Sequence, residues 1–96
     1  MILHILNRSP SASRVYQQAL DAMGPEDRLL LIEDAVQGAL PQLVRYFEPI
    51  IGRLFALRED LVSRGLDGRC DDRVLVVDVD GFVTLTEEAD KTVSWF

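Results

Sequence analysis

The sequence predicts an α/β protein: a small, three-layer, doubly wound and mostly parallel sheet of four to five strands. Three observations carry this. Short apolar runs alternate along the chain with segments whose apolar residues recur at three- and four-residue spacing, which is the β-α-β-α-β-α-β pattern of a parallel sheet. Arg28–Leu40, RLLLIEDAVQGAL, shows the unit most clearly, because four apolar residues stop at the carboxylates Glu33 and Asp34 and pass directly into a helical pattern. The chain has 96 residues, enough for one domain and short enough that it buries only something over ~60% of the surface its unfolded form exposes.

The elements follow in order. Ile2–Leu6 reads as the first strand, and NRSPS after it supplies turn and helix-start residues. Ala12, Val15, Ala19, Ala22 and Met23 lie on one face of a first helix that Gly24-Pro25 ends. Leu29–Ile32 is the second strand, with Asp34 a candidate N-cap for the helical segment beyond it. Pro41 interrupts that segment before Leu43, Phe47 and Ile50 resume the spacing, and Pro49 is expected to end it near Tyr46–Glu48. Arg53–Leu57 is the third strand, and Glu59–Arg64 a short helix with acids in its first turn and Gly65 beyond its end. After a polar loop, Leu66–Asp72, the β-branched run Val74–Val79 is the fourth strand. Asp80-Gly81 reads as a turn, and the remaining residues are compatible with a short helix at Leu85–Ala89 or a last extended segment at Thr92–Phe96.

Composition limits the function. A net charge of −6, from sixteen acids against nine arginines and one lysine, argues against direct nucleic-acid binding, which neutralises phosphates with Lys and Arg. The first apolar run is interrupted by His4, Asn7 and Arg8, so no signal peptide is read there, and no stretch approaches the ~20 apolar residues of a membrane span. One cysteine makes no disulfide framework. A cytoplasmic protein without membrane contact is expected. Its 48% hydrophobic content is generous for its size, which favours association with other subunits or with itself.

Few residues are equipped for chemistry. Cys70, in the loop GRCDD, is the one thiol: Arg69 and Arg73 favour its thiolate as a sulfur acceptor, while Asp71 and Asp72 oppose it, and an incidental loop cysteine is the favoured reading. His4 lacks a partner visible in the sequence and reads as a core or interface histidine rather than a base. One His and one Cys without a ligand pair at recognised spacing make neither a metal site nor a cofactor site. Glu33-Asp34, Glu59-Asp60 and Asp78/Asp80 each follow a strand, as a receiver-like Mg²⁺ site would require, but that site also needs acids after the first strand and a lysine near the last. Asn7-Arg8 ends the first strand and Lys91 lies in the tail, so these acids read as helix caps. NRSPS offers Arg8, Ser9 and Ser11 to an anion without the glycines of a nucleotide loop. His4, Tyr46, Phe47, Phe82 and Trp95 are the candidate interface residues, as large side chains on segments that a lone monomer could expose.

Four segments in this order resemble the DsrH/TusB family, the B-type subunit of the DsrEFH and TusBCD sulfur-relay complexes. They are LHILNRSP (Leu3–Pro10), LLLIEDAVQGAL (Leu29–Leu40), LREDLVSRGL (Leu57–Leu66) and VLVVDVDGFVTLTEEADKTVSWF (Val74–Phe96). The resemblance implies one DsrH/TusB-like domain over residues 1–96, a DsrEFH-like, flavodoxin-like fold, and a cytoplasmic dimer of heterotrimers with C-type and D-type subunits. It implies a structural, non-catalytic subunit, because the principal sulfur-carrying cysteine of such complexes lies on the D/E-type chain. Members of the sulfur-oxidising branch carry a cysteine in the first helix, where this sequence has Ala19. That departure favours the branch serving 2-thiolation of the tRNA wobble uridine, and Cys70 does not match the family position. The alternatives are a homo-oligomeric carrier using Cys70 as persulfide acceptor and a DsrEFH-type subunit in sulfur oxidation.

Overall fold

The computed structural model describes all residues, 1–96. Five strands, β1 (Ile2–Leu6), β2 (Arg28–Leu31), β3 (Leu54–Leu57), β4 (Leu75–Val77) and β5 (Lys91–Trp95), form one sheet in the order β4-β3-β2-β1-β5. Every neighbouring pair is parallel. Three helices, α1 (Val15–Ala22), α2 (Arg58–Ser63) and α3 (Val79–Glu88), and two 3-10 segments, Glu33–Ala39 and Val44–Ile50, make the connections.

The alternation of side chains along the strands sorts these connections into two layers. Leu6, Leu29, Leu31, Leu54 and Ala56 point to one face, where Tyr16 and Ala19 of α1, both 3-10 segments and Leu61 of α2 cover them. Leu3, Ile5 and Leu30 point to the other, covered by Phe82, Leu85 and Ala89 of α3. Strands succeed one another outward from β1 to β4, and the chain then returns across the opposite face to place β5 on the free side of β1. The winding therefore reverses between β1 and β5, and the end of β5, Trp95 beside Leu6, lies at that switch point.

Several expectations are revised. The fourth strand ends at Val77 instead of Val79, and Asp80-Gly81 is helix instead of turn, because the Asp78 carboxylate accepts the Gly81 N–H at 2.8 Å and caps α3 from Val79 onward. The last residues form both a helix and a strand, since α3 ends at Glu88 and Lys91 begins β5. The expected helix after β2 is a 3-10 segment that starts at Glu33 from an Ile32 cap, so Asp34 is not its N-cap. Within it Gly38 lies against Phe47, where a Cβ would meet the ring at 2.6 Å, so the close approach requires glycine. Phe47 lies at a kink with φ −112° in the second segment, which continues through Pro49 to Ile50, past the expected end near Tyr46–Glu48.

Candidate functional site

A largely buried chain of three polar side chains ties β1, the turn before β2 and β5 together. The pleat of β1 that aims Leu3 and Ile5 at α3 aims His4 and Leu6 at the opposite layer, where His4 is only 2% exposed. A polar ring so placed requires partners on both nitrogens. His4 Nε2 lies 3.0 Å from Asp27 Oδ2, and Trp95 Nε1 donates to His4 Nδ1 at 3.0 Å, with the two ring planes 22° from parallel. An indole N–H only donates, so Nδ1 bears a lone pair, and the neutral ring carries its proton on Nε2 toward Asp27.

Asp27, in the turn between α1 and β2, also accepts the Ile2 N–H at 2.9 Å and the Gly24 N–H at 3.0 Å. Burial pushes its carboxyl up, but the Gly24, His4 and Ile2 donors outweigh that and hold it at about 2. Arg53 Nη1 fixes the same turn through the carbonyls of Gly24 and Asp27, at 3.0 and 2.7 Å. Neither of the two cavities on the molecule is lined by His4, Asp27 or Trp95. With both ring nitrogens committed and no opening to a substrate, the histidine holds segments together and has no path for moving a proton to a reacting group. Asp27 went unnoticed in the sequence. The available signal was that a histidine inside a buried strand demands a buried acceptor, and Asp27 stands immediately before the adjacent strand.

Cys70 lies half-buried in a cavity of about 320 Å³ beside Arg58, Leu61, Val62, Asp67, Gly68 and Val76. Burial pushes its thiol above the ordinary value, and Asp67 adds to that. Arg73 gives the thiolate no relief, because its guanidinium is engaged by Asp71 at 2.9 Å and Glu48 at 3.0 Å. The thiol is therefore held protonated at neutral pH, the weaker state for attack on sulfur.

The acids at the carboxyl ends of the strands serve the backbone and Arg64. Asp60 accepts the Glu33 N–H at 2.6 Å, Glu59 accepts the Val79 N–H at 3.2 Å, and Arg64 lies 3.1 Å from Asp34 and 3.9 Å from Asp60. Glu33 takes up φ +50°, in the left-handed region, to make its turn. A polar crevice of about 410 Å³ opens nearby between Arg8, Ser9, Ala12, Asp34 and Gln37. Ser9 and Ser11 bond each other at 2.8 Å, and α1 begins only at Val15, so the free N–H groups of its first turn are not at Arg8.

The candidate interface residues separate into two groups. Exposure fails for His4 and for Phe47, which is fully buried and meets Tyr16 edge-on with ring centres 6.0 Å apart. Tyr46, Phe82 and Trp95 are half-buried: Tyr46 lies edge-on to Tyr16 with Arg45 over its ring, and Phe82 packs beneath α3. The large apolar side chains that are exposed are Val62, Leu75, Val76, Val79, Val83 and Phe96. Ala19 is fully buried on the inner face of α1.

Comparison with known proteins finds a family and relatives that match nearly the whole chain. The family model described as "DsrH like protein" matches residues 8–92. Protein TusB of Escherichia coli strain UTI89 is 34% identical over 97 residues, covering 98% of this chain and 100% of the relative. Protein TusB of a second Escherichia coli strain is 33% identical over the same span. The crystal structure of the ychN protein from E. coli superposes with a TM-score of 0.75 at 18% identity, covering 97% of each chain, and shares the fold.

Proposed function

The chain belongs to the DsrH family, and from that membership we propose that it is a non-catalytic subunit of a cytoplasmic sulfur-relay complex. In this reading residues 1–96 act as one domain beside C-type and D-type partners, in a complex that serves 2-thiolation of the tRNA wobble uridine. The protein contributes surface and rigidity while a partner's cysteine carries the sulfur. The observation that supports this most directly is the state of its own groups: the thiol of Cys70 is pushed up by burial and Asp67, and His4 has no free nitrogen. Ala19 supplies no thiol in α1, which favours the thiolation branch over sulfur oxidation. No helix is long and apolar enough to cross a membrane.

The test is native mass spectrometry of the tagged protein from its host, followed by sulfur-transfer assays of the purified assembly with Cys70→Ala. Two further small α/β chains in equal stoichiometry and unchanged transfer are expected. A homo-oligomer that loses transfer on Cys70→Ala would replace this reading with that of a persulfide carrier.

A further inference from the structure

The two edges of the sheet are built differently. At one edge, β5 carries the only lysine of the protein, Lys91, together with Thr92 and Ser94, all exposed. Charged and polar residues of this kind are how natural sheets blunt an edge against unwanted pairing. At the other edge β4 is Leu75, Val76 and Val77, with neither charge nor proline, and Leu75 and Val76 are 45% and 41% exposed. Leu75 lies beside Phe55 on the α3 face, so Val76 points to the opposite face. Outside the ladder to β3, the backbone of these three residues makes no bond to a turn or loop. Val76 also lines the cavity of about 320 Å³ that Val62 and Leu61 share, with Arg58 and Asp67 on the same lining.

We propose that the β4 edge is a strand-addition site for a partner chain, which pairs its backbone with Leu75–Val77 and seats an apolar side chain in the cavity beside Val76. This inference rests on the reading of the protein as a subunit of a complex. The charge around the strand selects the partner. Asp71 and Asp72 precede β4, Asp78 and Asp80 follow it, and Arg73 is the one cation among residues 71–80. A second copy paired antiparallel about Leu75 or Val76 would bring its Asp78 and Asp80 toward Asp72, and facing like charges oppose pairing. A different chain, with an apolar strand flanked by Lys or Arg, meets apolar surface with apolar surface and acids with bases.

The test is co-expression of the tagged chain with its C-type and D-type subunits, comparing wild type with Val76→Lys, Leu75→Lys and the surface control Thr84→Lys. Recovery of both partners by wild type and Thr84→Lys, with at least tenfold less partner on Val76→Lys and Leu75→Lys at unchanged Tm, is expected. A variant with a lowered Tm is replaced by Val76→Thr, which keeps the strand-forming shape, and by hydrogen exchange of the wild-type complex, where Leu75–Val77 amides are expected to gain protection. Equal partner recovery by all variants, or no added protection, would overturn the edge site and leave the subunit reading standing. No partner on wild type would overturn both. A wild-type homodimer dissolved by Val76→Lys would overturn the choice of a different chain.

Discussion

Trp95 Nε1 donates to His4 Nδ1 across 3.0 Å, so the penultimate residue of the chain is hydrogen-bonded to the fourth. The bond ties the edge strand β5 to β1 at the point where the winding of the sheet reverses, and it fixes the histidine tautomer. Replacing Trp95 by Phe keeps a ring and leaves Nδ1 without a donor, which is expected to cost about 1–3 kcal/mol. Chemical denaturation followed by circular dichroism reads the cost, and ¹⁵N NMR of the wild-type ring should show the proton on Nε2. A proton on Nδ1, or a cost as large in a His4→Leu background as in the wild type, would contradict the assignment.

Acid should loosen the same network through Asp27. Its carboxyl is held at about 2 in the fold against an ordinary 3.8, so its contribution is complete above 3.8 and is lost as pH falls through about 2. That contribution is up to about 2 kcal/mol. Unfolding free energies measured between pH 5 and pH 2 should fall more steeply for the wild type than for Asp27→Asn, and parallel curves would rule out Asp27 as the source.

Gly38 and Phe47 should be energetically coupled. A Cβ at Gly38 would meet Phe47 Cε2 at 2.6 Å, and Phe47 is fully buried and cannot swing into solvent. Gly38→Ala is expected to destabilise by about 1–3 kcal/mol through overpacking. The same change made in Phe47→Leu should cost at least ~1 kcal/mol less, because the smaller side chain vacates the contested space. Additive costs in a double-mutant cycle would show that the two do not compete.

Glu33 offers an opposite case, a substitution that should stabilise. Its φ of +50° puts a Cβ in the left-handed region, at a cost of roughly 1–2 kcal/mol. Glu33→Gly removes that strain while giving the unfolded chain about 0.4–1 kcal/mol of extra freedom. The expected net gain is roughly 0.5–1 kcal/mol, read as a rise in denaturation midpoint. A fall would mean that the glutamate side chain contributes more than its exposure indicates.

The sequence by itself determined the α/β class, the first three strands to within a residue or two, and the poverty of reactive groups. These are local matters: runs of Leu, Ile and Val set strands, spacing sets helices, and one histidine and one cysteine limit the chemistry whatever the fold. Cap chemistry was less legible, as Asp78 shows, because VLVVDV continues the apolar alternation past the carboxylate that in fact starts α3.

Only the tertiary structure decided how β5 pairs, which carboxylate serves His4, and which large side chains remain for partners. Asp27 and Trp95 lie 23 and 91 positions along the chain from His4, and the meeting of Trp95 with His4 depends on β5 joining the free side of β1. No local preference encodes such a contact, because its energy appears only when distant strands are already side by side. The same holds for the bare β4 edge: the sequence marks Leu75 and Val76 as strand residues without saying where the strand sits, and they are left on the surface because no strand of this chain lies beyond them.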